Sequence, residues 1–200
     1  MKKIGLYFGS FNPIHIGHLH IANTALKNHD EIWFVLTRCN PLKGGFDVVS
    51  YEHREEMIRA TLKAFKNDSL KICTIEKDLP TPNYTIDTLD KIKSMFSDCD
   101  FHLIMGADNI IELNKWKEYK RLLEENTIYV FERNEDTSNT IQTCMDLFKD
   151  LQRYIIFKED DVKLTVSSTY IRNALKEKQN ISYLLPKGVY KYIIKNNLYE

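Results

Sequence analysis

Short apolar runs alternate with amphipathic stretches along most of the chain, and this alternation narrows the folds open to it. "KKIGLYF" is the first run and ends at Gly9. "EIWFVLT" is almost continuously apolar, the pattern of a strand buried on both faces. "LKICTIE", "FHLIM", "TIYVFE" and "RYIIF" complete six candidate strands. Between them, "HLHIANTALKNH" carries Leu19, Ala22, Ala25 and Leu26 at helical spacing, and "YEHREEMIRATLKAF" sets Met57, Ile58, Leu62 and Phe65 on one face. "TIDTLDKIKSMF" groups Ile86, Leu89, Ile92 and Phe96. "NIIELNKWKEYKRLL", "TIQTCMDLFKDL", "STYIRNALKEK" and "GVYKYIIKNN" read as further helices. Strands alternating with helices predict an α/β fold, a doubly wound, mainly parallel sheet with helices on both faces. No repeat, linker or low-complexity tract interrupts the pattern. The 200 residues are therefore expected to form a single domain, with a C-terminal helical part at about residues 167–200.

Sheets of this kind bind ligands beyond the carboxyl ends of their strands. The chemistry-bearing segments follow the candidate strands: Gly9–His18, Arg38–Lys43, Asp78–Thr85, Gly106–Asp108 and Arg133. In "GSFNPIHIGH", Gly9 allows a tight turn, Pro13 stiffens the loop, and Gly17 would let a ligand approach the backbone. The helix that follows offers free N–H groups and a partial positive charge at its start. His15 and His18 are placed to hydrogen-bond an anion there, and a phosphate that gains charge during reaction fits best. The alternatives are a surface histidine cluster and a zinc site. Zinc would want a third ligand, and no cysteine stands nearby. His20 points elsewhere on the helix.

"VSSTYIRNAL" is the second informative stretch. One of Ser167, Ser168 and Thr169 caps the helix. Arg172 lies four residues after Ser168 and shares its face. Hydroxyls, N–H groups and a guanidinium then converge on one anion, an arrangement suited to the outer phosphates of a nucleotide.

Composition removes other classes. Lys plus Arg and Asp plus Glu number 28 each. A zero balance argues against broad attraction to nucleic acid or membrane, and no apolar run has the length of a membrane span. The four cysteines form no CxxC pair and no signal peptide is evident at the start, so reduced thiols in a cytoplasmic protein are expected.

Taken together, the two phosphate-facing stretches resemble the nucleotidyltransferase superfamily with HxGH and ISSTxIR signatures. "NPLK" with "SYEHREEMI", "PNYTIDTL", "IMGADNIIELNKWKEYKRLL" and "YLLPKGVYKYI" are similar, in order, to segments of its bacterial nicotinate-nucleotide adenylyltransferase family. The resemblance spans nearly the whole chain. Asn12 stands where that family usually has Asp, "FGS" replaces a double glycine, and Asn134 replaces a frequent proline after Arg133.

The resemblance implies a Rossmann-like fold and a reaction in which ATP and nicotinate mononucleotide give the dinucleotide and pyrophosphate, with Mg²⁺ accompanying ATP. The ATP side would comprise Gly9, Ser10, Phe11, His15, Gly17, His18, Lys43, Gly106, Asp108, Ser168, Thr169 and Arg172, with His15, His18 and Arg172 catalytic. Lys43 adds a cation or is a solvated loop lysine. Asp108 contacts the ribose or caps a helix. Tyr84, Thr85, Trp116 and Arg133 would serve the mononucleotide. Trp116 stacks on the pyridine or packs in the core, and the helix start at Tyr84 and Thr85 suits a carboxylate. No all-protein metal cage is apparent. Arg54 is left outside the site, paired with Glu55 or a neighbouring helix. The rivals are another transferase of the same superfamily, a nucleotide-binding regulatory module, and a class I aminoacyl-tRNA synthetase, for which the chain is too short.

Overall fold

The structure, a computed structural model, describes residues 1–39, 48–131, 137–149, 154–158, 162 and 164–200, together with all their side chains except those of Asp108, Thr137, Ser138, Thr140 and Met145. The expectations for Lys43 and Arg133 lie outside the described residues.

Six strands form one sheet: β1 (Lys2–Gly9), β2 (Glu31–Leu36), β3 (Leu70–Cys73), β4 (Cys99–Gly106), β5 (Ile128–Phe131) and β6 (Ile155–Lys158). Their order is β3-β2-β1-β4-β5-β6. All five pairings are parallel, so the expectation of a mainly parallel sheet understates the order found. The chain steps outward from β1 to β3, then crosses to the other side of β1 and steps outward again. The reversal leaves a crevice between the carboxyl ends of β1 and β4, where doubly wound sheets bind ligands.

Side chains alternate across the sheet, and two cores result. On one face, Tyr7, Ile32, Phe34, Leu36 and Ile104 meet helices α1 (Ile16–Ala25), α2 (Tyr51–Phe65), α7 (Ser168–Lys176) and α8 (Val189–Lys195). On the other, Ile4, Leu6, Val35, Leu103 and Met105 meet α3 (Thr85–Met95), α4 (Ala107–Ile110), α5 (Tyr119–Glu125) and α6 (Thr137–Leu147). The helices thus cover both faces, as the alternation predicts.

One expected helix is broken. "NIIELNKWKEYKRLL" folds as α4, a 3-10 turn at Leu113–Lys115, and α5. Trp116 between them is extended (φ −82°, ψ 149°), and Glu118 is left-handed (φ 51°). The apolar spacing continues through the break because Leu113, Trp116, Tyr119, Leu122 and Leu123 all face the same core. Periodicity records the buried face and does not register a change of axis. Likewise "LKICTIE" is strand only to Cys73, then a 3-10 turn at Ile75–Asp78 that sets Glu76 at the sheet edge.

Gly5 sits in the middle of the central strand because its neighbours occupy the space beside it. A Cβ there would lie 2.6 Å from Ile32 Cδ1 and 3.0 Å from Ile104 Cγ1. Gly5→Ala should destabilise the fold by about 1–3 kcal/mol through overpacking. The check is the urea midpoint at unchanged slope. An unchanged midpoint would mean that Ile32 and Ile104 repack without strain.

Candidate active site

The crevice opens as a cleft of about 620 Å³. Its walls come from the segments after β1, β2, β3 and β4 and from the start of α7. Gly9, Ser10, Phe11, His15, His18, Tyr84, Thr85, Trp116, Ser168, Thr169 and Arg172 all lie along it. Eleven positions picked out from scattered parts of the sequence therefore share one cavity. Gly17 and Gly106 are not among its lining residues.

The loop after β1 is anchored by an aromatic side chain. Phe11 adopts a left-handed backbone (φ 45°), and its ring is 1% exposed. That ring folds back over Gly9, where a Cβ would come within 2.9 Å of it. It meets Tyr7, Phe34 and His18 edge-on at centroid distances of 5.6, 5.4 and 5.0 Å. With the ring in the core, Phe11 can offer the cleft mainly its backbone.

His15 occupies the cap position of α1, and His18 lies in its first turn. The two rings stack at 3.7 Å, and the main-chain N–H of His15 donates to His18 Nδ1 at 3.2 Å. A neutral His18 accepting at Nδ1 carries its proton on Nε2, which is then a donor. Both side chains are largely buried, at 1% and 8% exposure, though the sequence suggested rings directed simply at a ligand. The edge-on contact of Phe11 with His18 and the stack of the two imidazoles hold them at the cleft's inner wall. Gly17 has a packing reason. A Cβ there would meet Val166 Cγ1 at 2.9 Å and the His15 ring at 3.1 Å, so its space is taken by the chain itself.

At α7 the cap is Ser167, whose hydroxyl accepts from the Tyr170 N–H at 3.2 Å. Ser168 and Arg172 are thereby left for the β1 loop. Ser168 Oγ donates to the Pro13 carbonyl at 3.0 Å, and Arg172 Nη1 donates to the Asn12 carbonyl at 3.0 Å. Arg172 Nη2 reaches Thr169 Oγ1 at 3.3 Å. Two motifs thus clasp each other directly through residues 155 and 160 positions apart.

On the opposite wall, Tyr84 is the extended cap residue of α3, and no side chain caps that helix. Its first-turn N–H groups are the local concentration of positive potential. Lys117, which the sequence reading did not single out, also lines the cleft. Its Nζ stands 4.9 Å from the Tyr84 ring centroid and 2.9 Å from both Asp87 oxygens. Trp116 is half-buried, packed on the second core and exposed to the cleft, so its two readings are compatible. The cap position of α4 is Gly106, and Asp108 is the second residue of that helix.

Three further residues shape the site without having been placed in it from the sequence: Arg54, set aside there, Glu76, not singled out, and Asn12, noted only as a departure from the family. Arg54 is 2% exposed and gives Nη1 to the Ser10 and Thr37 carbonyls at 2.9 and 2.7 Å, and Nε to the Val49 carbonyl at 3.1 Å. It ties the segments after β1 and β2 to the start of α2 and makes no pair with Glu55. Its signal was position, since Arg54 shares the helical spacing of the buried Met57, Ile58 and Thr61. Glu76 is buried at the cleft edge, where its carboxylate accepts from the Arg38 N–H at 2.9 Å and from Thr88 Oγ1 at 3.0 Å. Burial pushes its carboxyl up, and those donors oppose the rise. Asn12 lines the cleft with its side chain held from both sides.

Comparison with known proteins places this geometry. Residues 6–174 match the cytidylyltransferase-like family model. The probable nicotinate-nucleotide adenylyltransferase of Flavobacterium psychrophilum is 42% identical over 99% of both chains. That of Flavobacterium johnsoniae is 40% identical over 99% of both, and that of Carboxydothermus hydrogenoformans 32% over 99% and 98%. Among solved structures, the Plasmodium falciparum nicotinic acid mononucleotide adenylyltransferase complexed with NaAD superposes with a TM-score of 0.77 at 24% identity, covering 100% of this chain and 98% of that one. At that identity the likeness concerns the fold. The sequence relatives, aligned from end to end, carry the assignment further: the chain belongs to the cytidylyltransferase-like family and, within it, to the nicotinate-nucleotide adenylyltransferases.

Proposed function

We infer that the protein joins ATP and nicotinate mononucleotide to give nicotinate adenine dinucleotide and pyrophosphate, a step of NAD biosynthesis. The observation that carries the reading within the structure is the clasp of Ser168 and Arg172 on the loop that ends in His15 and His18. It gathers imidazole, hydroxyl and guanidinium donors at one end of a cleft whose other end holds an aromatic wall and an uncapped helix start.

In the reaction a phosphate oxygen of the mononucleotide attacks the α-phosphorus of ATP in line. The bond from that phosphorus to the β-bridging oxygen breaks, and pyrophosphate leaves. No covalent enzyme intermediate is needed, so catalysis is positioning and charge stabilisation. His18 donates from Nε2 to the α-phosphate as charge develops, and His15 sits beside it on the triphosphate path. Ser168, Thr169 and Arg172 take the outer phosphates. The first-turn N–H groups of α3, beside Tyr84 and Thr85, face the nicotinate carboxylate, and Trp116 stacks on the ring. Among the described residues no group of three His, Cys, Asp or Glu stands close enough to hold an ion. Mg²⁺ accompanying ATP would enter with the nucleotide beside His15, His18, Ser168 and Arg172, and would offset the charge of its phosphates. Among the same residues no helix is long and apolar enough to cross a membrane. Incubation with ATP, Mg²⁺ and a panel of mononucleotides, with products read by mass, tests the assignment. Absence of an adenylylated pyridine mononucleotide would reject it.

An asparagine at position 18 can still accept the His15 N–H through its side-chain oxygen but has nothing at the place of Nε2. His18→Asn should lower kcat by about 100- to 1000-fold, the usual loss for one preorganised donor. His18→Ala removes the same donor and the cap contact, and should also lower the melting temperature. Near-normal turnover in the asparagine variant would take His18 out of the mechanism.

Arg172→Ala should weaken ATP binding while leaving mononucleotide binding almost intact. Arg172→Lys should rescue only part of the loss, because a point charge cannot reproduce the planar fork. Calorimetric titration of each substrate checks this. A larger loss for the mononucleotide would move Arg172 to the other half of the cleft.

Nicotinate presents a carboxylate to the α3 N–H groups, whereas nicotinamide presents an amide whose N–H₂ faces at least one donor. Hydrogen bonds to charged groups contribute about 1.5–3 kcal/mol each. The preference in kcat/KM for nicotinate mononucleotide should therefore be about tenfold to a few hundredfold. Parity within about threefold, less than one such contact gives, would make the protein a dual-specificity enzyme.

A further inference from the structure

Tyr199 lies beyond α8, far from the cleft in sequence and absent from its lining. Its ring is part of the core under α1, α2 and α8, and it is 8% exposed. Its hydroxyl lies 2.7 Å from Asn12 Oδ1, a contact between residues 187 positions apart. The main-chain N–H of Val49 points at the same Asn12 atom, at 3.4 Å. A backbone N–H can only donate, so that atom is the amide oxygen and the phenol must be the donor to it. Burial pushes the Tyr199 phenol well above its ordinary range, although Arg172 and Arg54 pull it down, so it keeps the proton it donates.

Asn12 has a second connection. Its carbonyl receives Arg172 Nη1 at 3.0 Å, while the neighbouring Ser10 carbonyl receives Arg54 Nη1 at 2.9 Å. Asn12 itself is 3% exposed. One residue of the loop is thus gripped at its side chain by Tyr199 and Val49, and at its backbone by Arg172. The side-chain grip restrains the residue as a whole, and so the main-chain carbonyl to which Arg172 donates.

We propose that Tyr199 is a positioning residue for the nucleotide end of the cleft: its hydroxyl fixes Asn12, and Asn12 fixes the guanidinium of Arg172. The idea rests on the reading that Arg172 receives the outer phosphates of ATP. Tyr199 touches no substrate. Its contribution is to hold Arg172 at the spacing from the β1 loop that a phosphate chain needs. The side chain at position 12 is a neutral amide, so one phenolic donor and one N–H satisfy its oxygen without a buried charge.

The test is Tyr199→Phe, which keeps the buried ring and removes one hydroxyl, measured with Arg172→Lys and the double variant. One buried hydrogen bond shifts an equilibrium by about twofold to tenfold. Tyr199→Phe should raise KM for ATP by that factor, leave KM for nicotinate mononucleotide within about twofold, and change kcat less than KM for ATP. Groups that act through one another are non-additive, so the double variant should resemble Arg172→Lys alone. Equal loss for both substrates accompanied by a fall in melting temperature would reduce Tyr199 to a packing residue. Fully additive effects, or an unchanged KM for ATP in Tyr199→Phe, would overturn the coupling. An unchanged KM for ATP in Arg172→Lys would instead remove the reading on which the proposal rests.

Discussion

The ring of Phe11 over Gly9 is the contact on which the cleft depends. It closes the central strand with a left-handed turn and sinks the loop's aromatic side chain between Tyr7, Phe34 and His18. The start of α1 is then set against the sheet with little freedom to move, because a close-packed core transmits small displacements as strain. His15 and His18 inherit their positions from this packing, stacked on each other at the inner wall. A Cβ at position 9 would come within 2.9 Å of that ring, which would have to shift from its place against His18.

A loop so placed must satisfy its own carbonyl groups, because buried backbone groups left unpaired are costly. The fold does this with side chains drawn from distant segments. Arg54 serves Ser10, Thr37 and Val49, Arg172 serves Asn12, and Ser168 serves Pro13. The same bonds that pair the loop also bring guanidinium and hydroxyl groups to the nucleotide end of the cleft. Structural satisfaction and preorganisation are here one set of contacts, which lets the site receive a charged ligand with little rearrangement. The far wall works differently. Its polarity comes from the open end of α3, with Lys117 standing over Tyr84 and already paired to Asp87.

Much of this was legible beforehand. Six strands and the covering helices follow from apolar spacing, and the candidate residues follow from their places after strands. The break around Trp116 was not legible, since Leu113, Leu122 and Leu123 keep a helical spacing while the backbone turns. Arg54 looked like one charge among several in "EHREE", yet its position on the buried face of α2 makes it the tie between two loops. Gly17 read as room for a ligand and is room for Val166 and His15.

By itself the sequence determined the layers and the edge of the sheet at which chemistry can occur, because hydrophobic period and strand–helix alternation are local properties. It also determined the donors available: two histidines, a run of hydroxyls and an arginine. Tertiary structure decided which carbonyl each donor meets, which histidine nitrogen accepts the His15 N–H, and that Tyr199 reaches Asn12 across 187 positions. The physical reason is that hydrogen-bond pairing depends on distances of about 3 Å, and such distances between remote segments exist only once the core has packed.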